Sequence, residues 1–96
     1  MTYLEELESV IVKVHGCSAT SVGPVRVEEK YQDRVVWNGE VEIFALAGCA
    51  RAERCYAWGL PDERGALEIV TVLEIAPVDS AAMAVRVALA SGARRT

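Results

Sequence analysis

His15 and Cys17 have the residue types of a catalytic base and a nucleophile. A cysteine thiol becomes a reactive thiolate at neutral pH when a base lies within hydrogen-bond distance of it. Two residues apart at a helix end, however, the two side chains point in different directions, and no acidic residue close in sequence is placed to orient the imidazole. We therefore expect a helix-capping histidine beside a loop cysteine, and the sequence assigns no catalytic residue.

The other two cysteines, Cys49 and Cys55, are separated by five residues and would need His15 or Cys17 to complete a metal site. The chain has three cysteines and no C-x-x-C pair, so the pattern encodes neither a disulfide framework nor a zinc knuckle. We therefore interpret the cysteines as free thiols that pack as small hydrophobic residues. The sequence predicts no metal site, no cofactor and a reducing compartment.

Glu40 and Glu42 lie two residues apart on a predicted strand and so project from the same face of it. Paired carboxylates of this kind could do general acid–base work or hold a divalent ion. They are explained equally well as solvated charges, one of which meets Arg54 across the sheet in an ordinary ion pair.

The aromatic residues form the most informative group, because four of the six lie on two neighbouring predicted strands. Tyr56 and Trp58 share a parity and therefore a face of the sheet. Such rings can line a pocket for a flat or apolar ligand, but they also fill cores and interfaces between subunits, which we favour here. The candidate ligand-binding residues are Trp37, Glu42, Phe44, Arg54, Tyr56 and Trp58.

These residues are positioned by a helix, four strands and a second helix. Thr2 and Glu5 have the S/T-x-x-E spacing of a capping box, and Leu4, Leu7, Val10, Ile11 and Val14 then recur at helical spacing up to Gly16. Residues 17–24 are predicted to form a loop. Strands are predicted over residues 25–31, 35–46, 52–58 and 66–76, with breaks at 32–33 and 48–50, a turn at 59–62, and a bulge rather than a hairpin at Asn38-Gly39.

The fourth predicted strand is apolar on both parities, which is typical of a strand buried on both faces. After Pro77, Asp79 or Ser80 caps a helix that runs to about Ser91, with Gly92 as its stop. This helix is apolar almost all round, with Arg86 as its one charged residue. Two short helices cannot cover both faces of a four-stranded sheet, so we expect a sheet curled on itself or, preferably, a second subunit.

Segment 35–44 reads V-V-W-N-G-E-V-E-I-F and segment 55–58 reads C-Y-A-W. The chain therefore resembles small uncharacterised bacterial proteins that share V-W-x-G-x-V-E-x-F and Y-A-W segments, some of which resemble products of integron gene cassettes, part of the mobile metagenome. The resemblance covers about residues 25–87. The related pattern reads Gly-His-Pro after the long strand, whereas this chain has Gly48-Cys49-Ala50, so no histidine role carries over. The resemblance implies no activity.

Length and composition indicate the number of domains and weigh against some classes of function. The chain has 96 residues, which is the size of one domain, and its net charge of −4 weighs against nucleic-acid binding. No apolar run is long enough to cross a bilayer, and acidic residues near the N-terminus do not fit an export signal, so we expect a cytoplasmic protein and no membrane partner.

The sequence thus predicts a single α+β domain over residues 1–96, a four-stranded antiparallel meander with an N-terminal and a C-terminal helix. The favoured function is a non-enzymatic module that forms a homo-oligomer, with a dimer preferred, and that binds a small apolar or aromatic ligand or a protein partner. The alternative is a small enzyme with a site between subunits that uses Glu40, Glu42 and Arg54.

Overall fold

In the computed structural model, which describes residues 2–91, two helices flank four strands along the chain. They are helix α1 (Tyr3–His15), strands β1 (Ser18–Tyr31), β2 (Arg34–Ala47), β3 (Arg54–Pro61) and β4 (Leu67–Leu73), and helix α2 (Ala81–Ala90). The strands form one antiparallel sheet in the order β1-β2-β3-β4. The predicted α+β meander with a helix at each end is confirmed.

Helix α1 begins and ends as its sequence predicts. The Thr2 hydroxyl accepts a hydrogen bond from the Glu5 N–H at 3.2 Å, and the Glu5 carboxylate accepts one from the Thr2 N–H at 2.9 Å. Gly16 ends the helix in the left-handed conformation, with φ at 71°. Leu7 and Ile11 are fully buried against the sheet. The rest of the predicted apolar stripe is only half-buried or exposed: Leu4, Val10 and Val14.

Strands β1 and β2 form a hairpin of two 14-residue strands. The predicted break at Gln32-Asp33 is its two-residue turn, and both residues have positive φ, at 51° and 64°, as such a turn requires. The loop predicted over residues 17–24 is wrong, because β1 already starts at Ser18. Its first half has little apolar character of its own and becomes a strand by pairing with the end of β2, where Ser18 lies opposite Ala47.

The bulge predicted at Asn38-Gly39 is also wrong in position. Asn38 and Gly39 pair in regular register with β1, and the extra residue of β2 is Val36, since Trp37 lies opposite Glu29 while Val35 lies opposite Lys30. Gly39 serves a different purpose. The Trp37 ring lies across it, and a Cβ atom there would come within 3.0 Å of the ring.

Strand β3 extends further than predicted. The expected turn at residues 59–62 belongs largely to β3, and the chain reverses at Asp62–Ala66 instead. The Asp62 carboxylate holds this turn by accepting the N–H groups of Arg64 and Ala66, at 2.8 and 2.9 Å, and Gly65 adopts a φ of 84°.

The sheet has two covered faces, named here after the helix that packs on each. The α1 face carries a core cluster of Leu7, Ile11, Ala19, Phe44, Cys55 and Ala57. The α2 face carries a larger cluster of Val27, Trp37, Val41, Tyr56, Trp58, Val78, Ala81, Ala84, Val85 and Ala88. The Trp37 and Trp58 rings meet edge to face there, with centroids 5.7 Å apart.

Helix α2 begins at Ser80, whose hydroxyl accepts the Met83 N–H at 3.2 Å; the predicted stop at Gly92 lies outside the described residues. Each helix packs on one face of the sheet, which is open, because within residues 2–91 β1 pairs only with β2 and β4 only with β3. Apolar side chains remain exposed around these covered areas, chiefly on the hairpin and beside α2: Val22, Val25, Tyr31, Val35, Val36, Ile75 and Val87.

Candidate functional site

Strand β4 lies at one edge of the sheet and borders a groove of about 500 Å³. The walls of the groove come from β4, from the segment that joins β4 to α2, and from the last turns of α2. Its lining residues are His15, Arg51, Val70, Thr71, Val72, Leu73, Ile75, Ala76, Pro77, Val78, Val87, Ala88 and Ser91. The groove therefore combines mostly apolar walls with a polar end at His15, Arg51 and Thr71.

The backbone of β4 offers hydrogen-bonding groups along its outer edge. Glu74 N–H donates to the Arg54 carbonyl at 2.9 Å, and Asp62 N–H donates to the Ala66 carbonyl at 2.7 Å. Because bonded and unbonded residues alternate in an antiparallel pair, the even-numbered residues of β4 face β3 with their backbone groups. Those of Leu67, Ile69 and Thr71 point outward, and no strand within residues 2–91 lies beside them.

Strand β4 is half-buried on both of its faces. Ile69 and Leu73 pack at the border of the α1-face core, and Val70 and Val72 at the border of the α2-face core. The prediction of a strand buried on both faces is therefore only partly confirmed, because both faces of β4 are half-buried. Helix α1 and helix α2 each reach β4 from one side, but as an edge strand it has no neighbour to complete its cover.

The opposite edge of the sheet is built differently. Strand β1 carries a bulge at Val22, since Ser21 lies opposite Phe44 and Gly23 already lies opposite Ile43. Pro24 follows directly, and it has no N–H to offer to another strand. Bulges and prolines are the features by which natural sheets prevent their edges from pairing. Strand β4 contains neither.

His15 and Thr71 form the polar end of the groove. The imidazole Nε2 of His15 lies 2.9 Å from the Thr71 hydroxyl oxygen, so the end of α1 is tied to the middle of β4. Burial lowers the pKa of His15, and the positive charge of Arg51 lowers it further. Thr71 and Arg51 were not among the sequence candidates, because a lone threonine in a strand and a lone arginine in a loop carry no local signal.

The geometry argues against His15 as a base for Cys17. The Cys17 thiol lies 3.4 Å from the backbone carbonyl of His15, while the imidazole is engaged with Thr71. No acidic residue orients the ring among the described hydrogen bonds. The prediction of a helix-capping histidine beside a loop cysteine is therefore only partly met, because His15 ends α1 but its imidazole contacts Thr71, and the cap residue is Gly16.

The predicted aromatic site is divided between the two faces of the sheet. Trp37, Tyr56 and Trp58 are at least nine-tenths buried under α2, whereas Phe44 is fully buried under α1. The four rings therefore do not line a common cavity in this conformation. They occupy core positions, and ligand binding by these residues stays a prediction.

Arg54 and Glu42 also lie on opposite faces. In the register of β2 and β3, Glu42 pairs with Ala57 and Ala45 pairs with Arg54, so Glu42 projects to the α1 face and Arg54 to the α2 face. Glu40 shares the parity of Glu42, so neither carboxylate faces Arg54 across the sheet, and the predicted ion pair is wrong. A site that uses Glu40, Glu42 and Arg54 together would have to draw them from more than one protomer.

Glu42 lies in an unusual place for a carboxylate. It is only 8 % exposed, and no group within residues 2–91 donates a hydrogen bond to its side chain. Burial raises its pKa, and the negative charge of Glu40 raises it further. Nearby, the Tyr3 hydroxyl accepts the Gly59 N–H at 2.9 Å, which fixes the first turn of α1 over β3.

Tyr56 makes a polar contact at the border of the α2 face. Its hydroxyl donates a hydrogen bond to the Glu74 carboxylate just beyond the end of β4. Burial, this bond and the charge of Glu74 raise the pKa of Tyr56 to about 12. This hydrogen bond joins β3 to the β4–α2 connection, and the tyrosine that donates it is almost completely buried.

No group of three histidine, cysteine or acidic residues within residues 2–91 is arranged to hold a metal ion. In the same part of the chain, neither helix has the length and apolar character needed to span a bilayer. Comparison with protein families, curated proteins and solved structures gives no match to this chain.

Proposed function

We propose that this protein is a non-enzymatic module that forms a homodimer by pairing the outer edge of β4 with the same edge of a second copy. The observation that carries the proposal is the contrast between the two sheet edges. The β1 edge has a bulge at Val22 and a proline at position 24, whereas β4 has an unprotected row of outward backbone groups.

The edge of β4 is complementary to itself. Two copies related by a two-fold axis would run antiparallel, and the outward groups of Leu67, Ile69 and Thr71 in one copy would face those of the other. Pairing would extend the sheet from four strands to eight. It would also bring a second apolar strand against the exposed borders of both cores, where Val70, Val72 and the groove wall of α2 now meet solvent.

A dimer of this kind supplies the cover that the two helices leave incomplete. The β4 groove is mostly apolar, with Val87 of α2 exposed along it. On the resemblance described above, we also propose that the protein is bacterial and cytoplasmic and that it belongs with the proteins encoded by integron cassettes.

The test is the oligomeric state of the protein and of two matched variants at Ile69. Ile69→Pro removes one outward N–H without touching the bonds to β3, because proline is tolerated on the solvent side of an edge strand. Ile69→Val keeps the N–H and the apolar surface. Sedimentation equilibrium across the micromolar range should return a dimer for the wild type and Ile69→Val, and a folded monomer for Ile69→Pro.

A second pair of variants covers the case in which Ile69→Pro does not fold. Thr71→Lys places a charge at the β4 edge, and Thr20→Lys places the same charge on β1. The proposal requires that only Thr71→Lys weakens the dimer. A wild type that sediments as a monomer throughout would refute it, and a guest peptide or small molecule that raises the melting temperature of that monomer would assign the groove to a guest instead.

A further inference from the structure

Two cysteines lie next to the last strand pair of the β1–β2 hairpin. Ser18 and Ala47 form the last pair of the hairpin, so Cys17 directly precedes that pair and Cys49 follows it by two residues. The two positions are separated by 32 residues in sequence, and only the register of the hairpin makes them neighbours. Both cysteines are free thiols.

The contacts give the two thiols different chemical roles. Interactions with the Cys17 side chain and with the backbone N–H groups of Arg51 and Ala52 lower the pKa of Cys49. The Arg51 guanidinium adds positive charge nearby. The interaction with Cys49 and burial raise the pKa of Cys17, whose thiol donates to the backbone carbonyl of His15 at 3.4 Å.

Solvent access follows the same order. Cys49 is half-buried, so a small solute can reach it, whereas Cys17 is only 3 % exposed. The third cysteine, Cys55, is fully buried in the α1-face core, and burial raises its pKa to about 12. Among the three cysteines, Cys49 is therefore the most accessible to a small solute, Cys17 is its neighbour at the hairpin end, and Cys55 serves as an internal reference.

We propose that Cys17 and Cys49 form a peroxide-reactive dithiol site, in which Cys49 is oxidised first and Cys17 then closes an intramolecular disulfide with it. The oxidant is a hydroperoxide, with hydrogen peroxide as the simplest case.

The reaction has two steps, oxidation of Cys49 and closure of the disulfide. The Cys49 thiolate attacks one oxygen of hydrogen peroxide, the O–O bond breaks, and the second oxygen leaves as hydroxide, which takes a proton to become water. Cys49 is now a sulfenic acid. The Cys17 sulfur then attacks the Cys49 sulfur and loses its proton, the S–O bond breaks, and the oxygen leaves as a second water. Two thiols have given up two electrons, and one peroxide has become two waters.

The site differs from a buried structural disulfide because one of its two sulfurs, that of Cys49, is partly open to solvent. Strongly resistant structural disulfides are buried or constrained, whereas accessible pairs with a thiolate partner exchange readily. A cellular dithiol would therefore return the pair to its reduced state, and the cycle could be repeated.

The experiment treats the folded full-length protein with hydrogen peroxide, blocks the remaining thiols with a maleimide after unfolding, and maps the peptides by mass spectrometry. We expect a peptide pair joined through Cys17 and Cys49, maleimide on Cys55 only, and full reversal by dithiothreitol. Oxidation at Cys49 should proceed at least about tenfold faster than oxidation at Cys55, since thiolate content and access both favour Cys49.

Two serine variants separate the roles of the two thiols. Cys17→Ser should stop the reaction at a sulfenic acid on Cys49, which a dimedone probe would trap, and Cys49→Ser should leave Cys17 reduced. A Cys55→Ala variant should behave as the wild type does.

Three outcomes would each overturn the site. One is a Cys49 that reacts no faster than Cys55, another is a Cys17→Ser variant that traps no dimedone on Cys49, and the last is a disulfide that forms only between protomers on a non-reducing gel. The wild-type peptide map alone decides the matter if a serine variant does not fold.

Discussion

The Nε2 atom of His15 lies 2.9 Å from the Thr71 hydroxyl oxygen, although 56 residues separate the two in sequence. This contact joins the last residue of α1 to the centre of the edge strand β4. It is the one described side-chain hydrogen bond between the N-terminal helix and β4, and it forms the polar end of the groove. Its contribution to stability can be measured directly.

Thr71→Val should lower the free energy of unfolding by about 1 kcal/mol, since valine keeps the shape of threonine but removes the hydroxyl. The same substitution in a His15→Ala background should cost clearly less, because the partner is already absent. Urea denaturation of the two single variants and the double variant gives the coupling free energy between His15 and Thr71. If Thr71→Val costs the same in both backgrounds, the contact makes no contribution.

Glu42→Gln should stabilise the protein at neutral pH. The folded state raises the pKa of Glu42, so it favours the protonated form, and the native state pays a penalty for the charge once pH rises above that pKa. The gain from glutamine should therefore be largest near pH 7 and shrink as pH falls through the folded pKa. Urea midpoints at several pH values check this, with the exposed Glu8→Gln as control. A gain that does not change with pH would show that the buried charge is not its cause.

Tyr56→Phe should lower the free energy of unfolding by about 1 to 2 kcal/mol, because the Glu74 carboxylate loses a charge-assisted partner. The pKa of Tyr56 is raised to about 12 in the folded protein, above its ordinary value. The stability that this raised pKa provides is complete below about pH 10 and is lost as pH rises towards 12. Absorbance titration should show the last phenol ionisation missing in the variant. An unchanged alkaline titration would argue against the bond.

Gly39→Ala should destabilise the hairpin by about 1 to 3 kcal/mol, since its new methyl group would lie 3.0 Å from the Trp37 ring and push that ring out of its contact with Trp58. In a Trp37→Phe background the smaller ring leaves room, so the added cost should be lower. Thermal unfolding and tryptophan fluorescence measure both effects. Equal costs in the two backgrounds would mean that the ring is not the obstacle.

Local chemistry made much of the fold predictable. The capping box at Thr2, the stop at Gly16 and the polar turn at Gln32-Asp33 each depend on a few adjacent residues, and the structure has each of them where the sequence places it. The cap of α2 was predicted at Asp79 or Ser80, and the structure has it at Ser80. The errors fall where pairing with a distant segment decided the outcome. Residues 18–24 are a strand because β2 lies beside them, and the bulge is at Val36 because the register of the hairpin puts it there.

The candidate site was less predictable than the fold for the same reason. Sequence reasoning identified His15 and the cysteines by residue type, but Thr71 and Arg51 gained their positions only when α1, β4 and the β2–β3 connection came together. The pairing of Cys17 with Cys49 required the register of the hairpin. The separation of Arg54 from Glu42 depended on the pairing of β2 with β3, where a shift of one residue exchanges the two faces.

By itself, the sequence determined the order and type of the elements and the excess of apolar side chains, because helix caps, turns and residue periodicity act over a few residues. Only the tertiary structure decided which helix covers which face, which strand is left at an open edge, and which distant side chains touch. Those features depend on strand register and helix packing, which bring together residues that share no local signal.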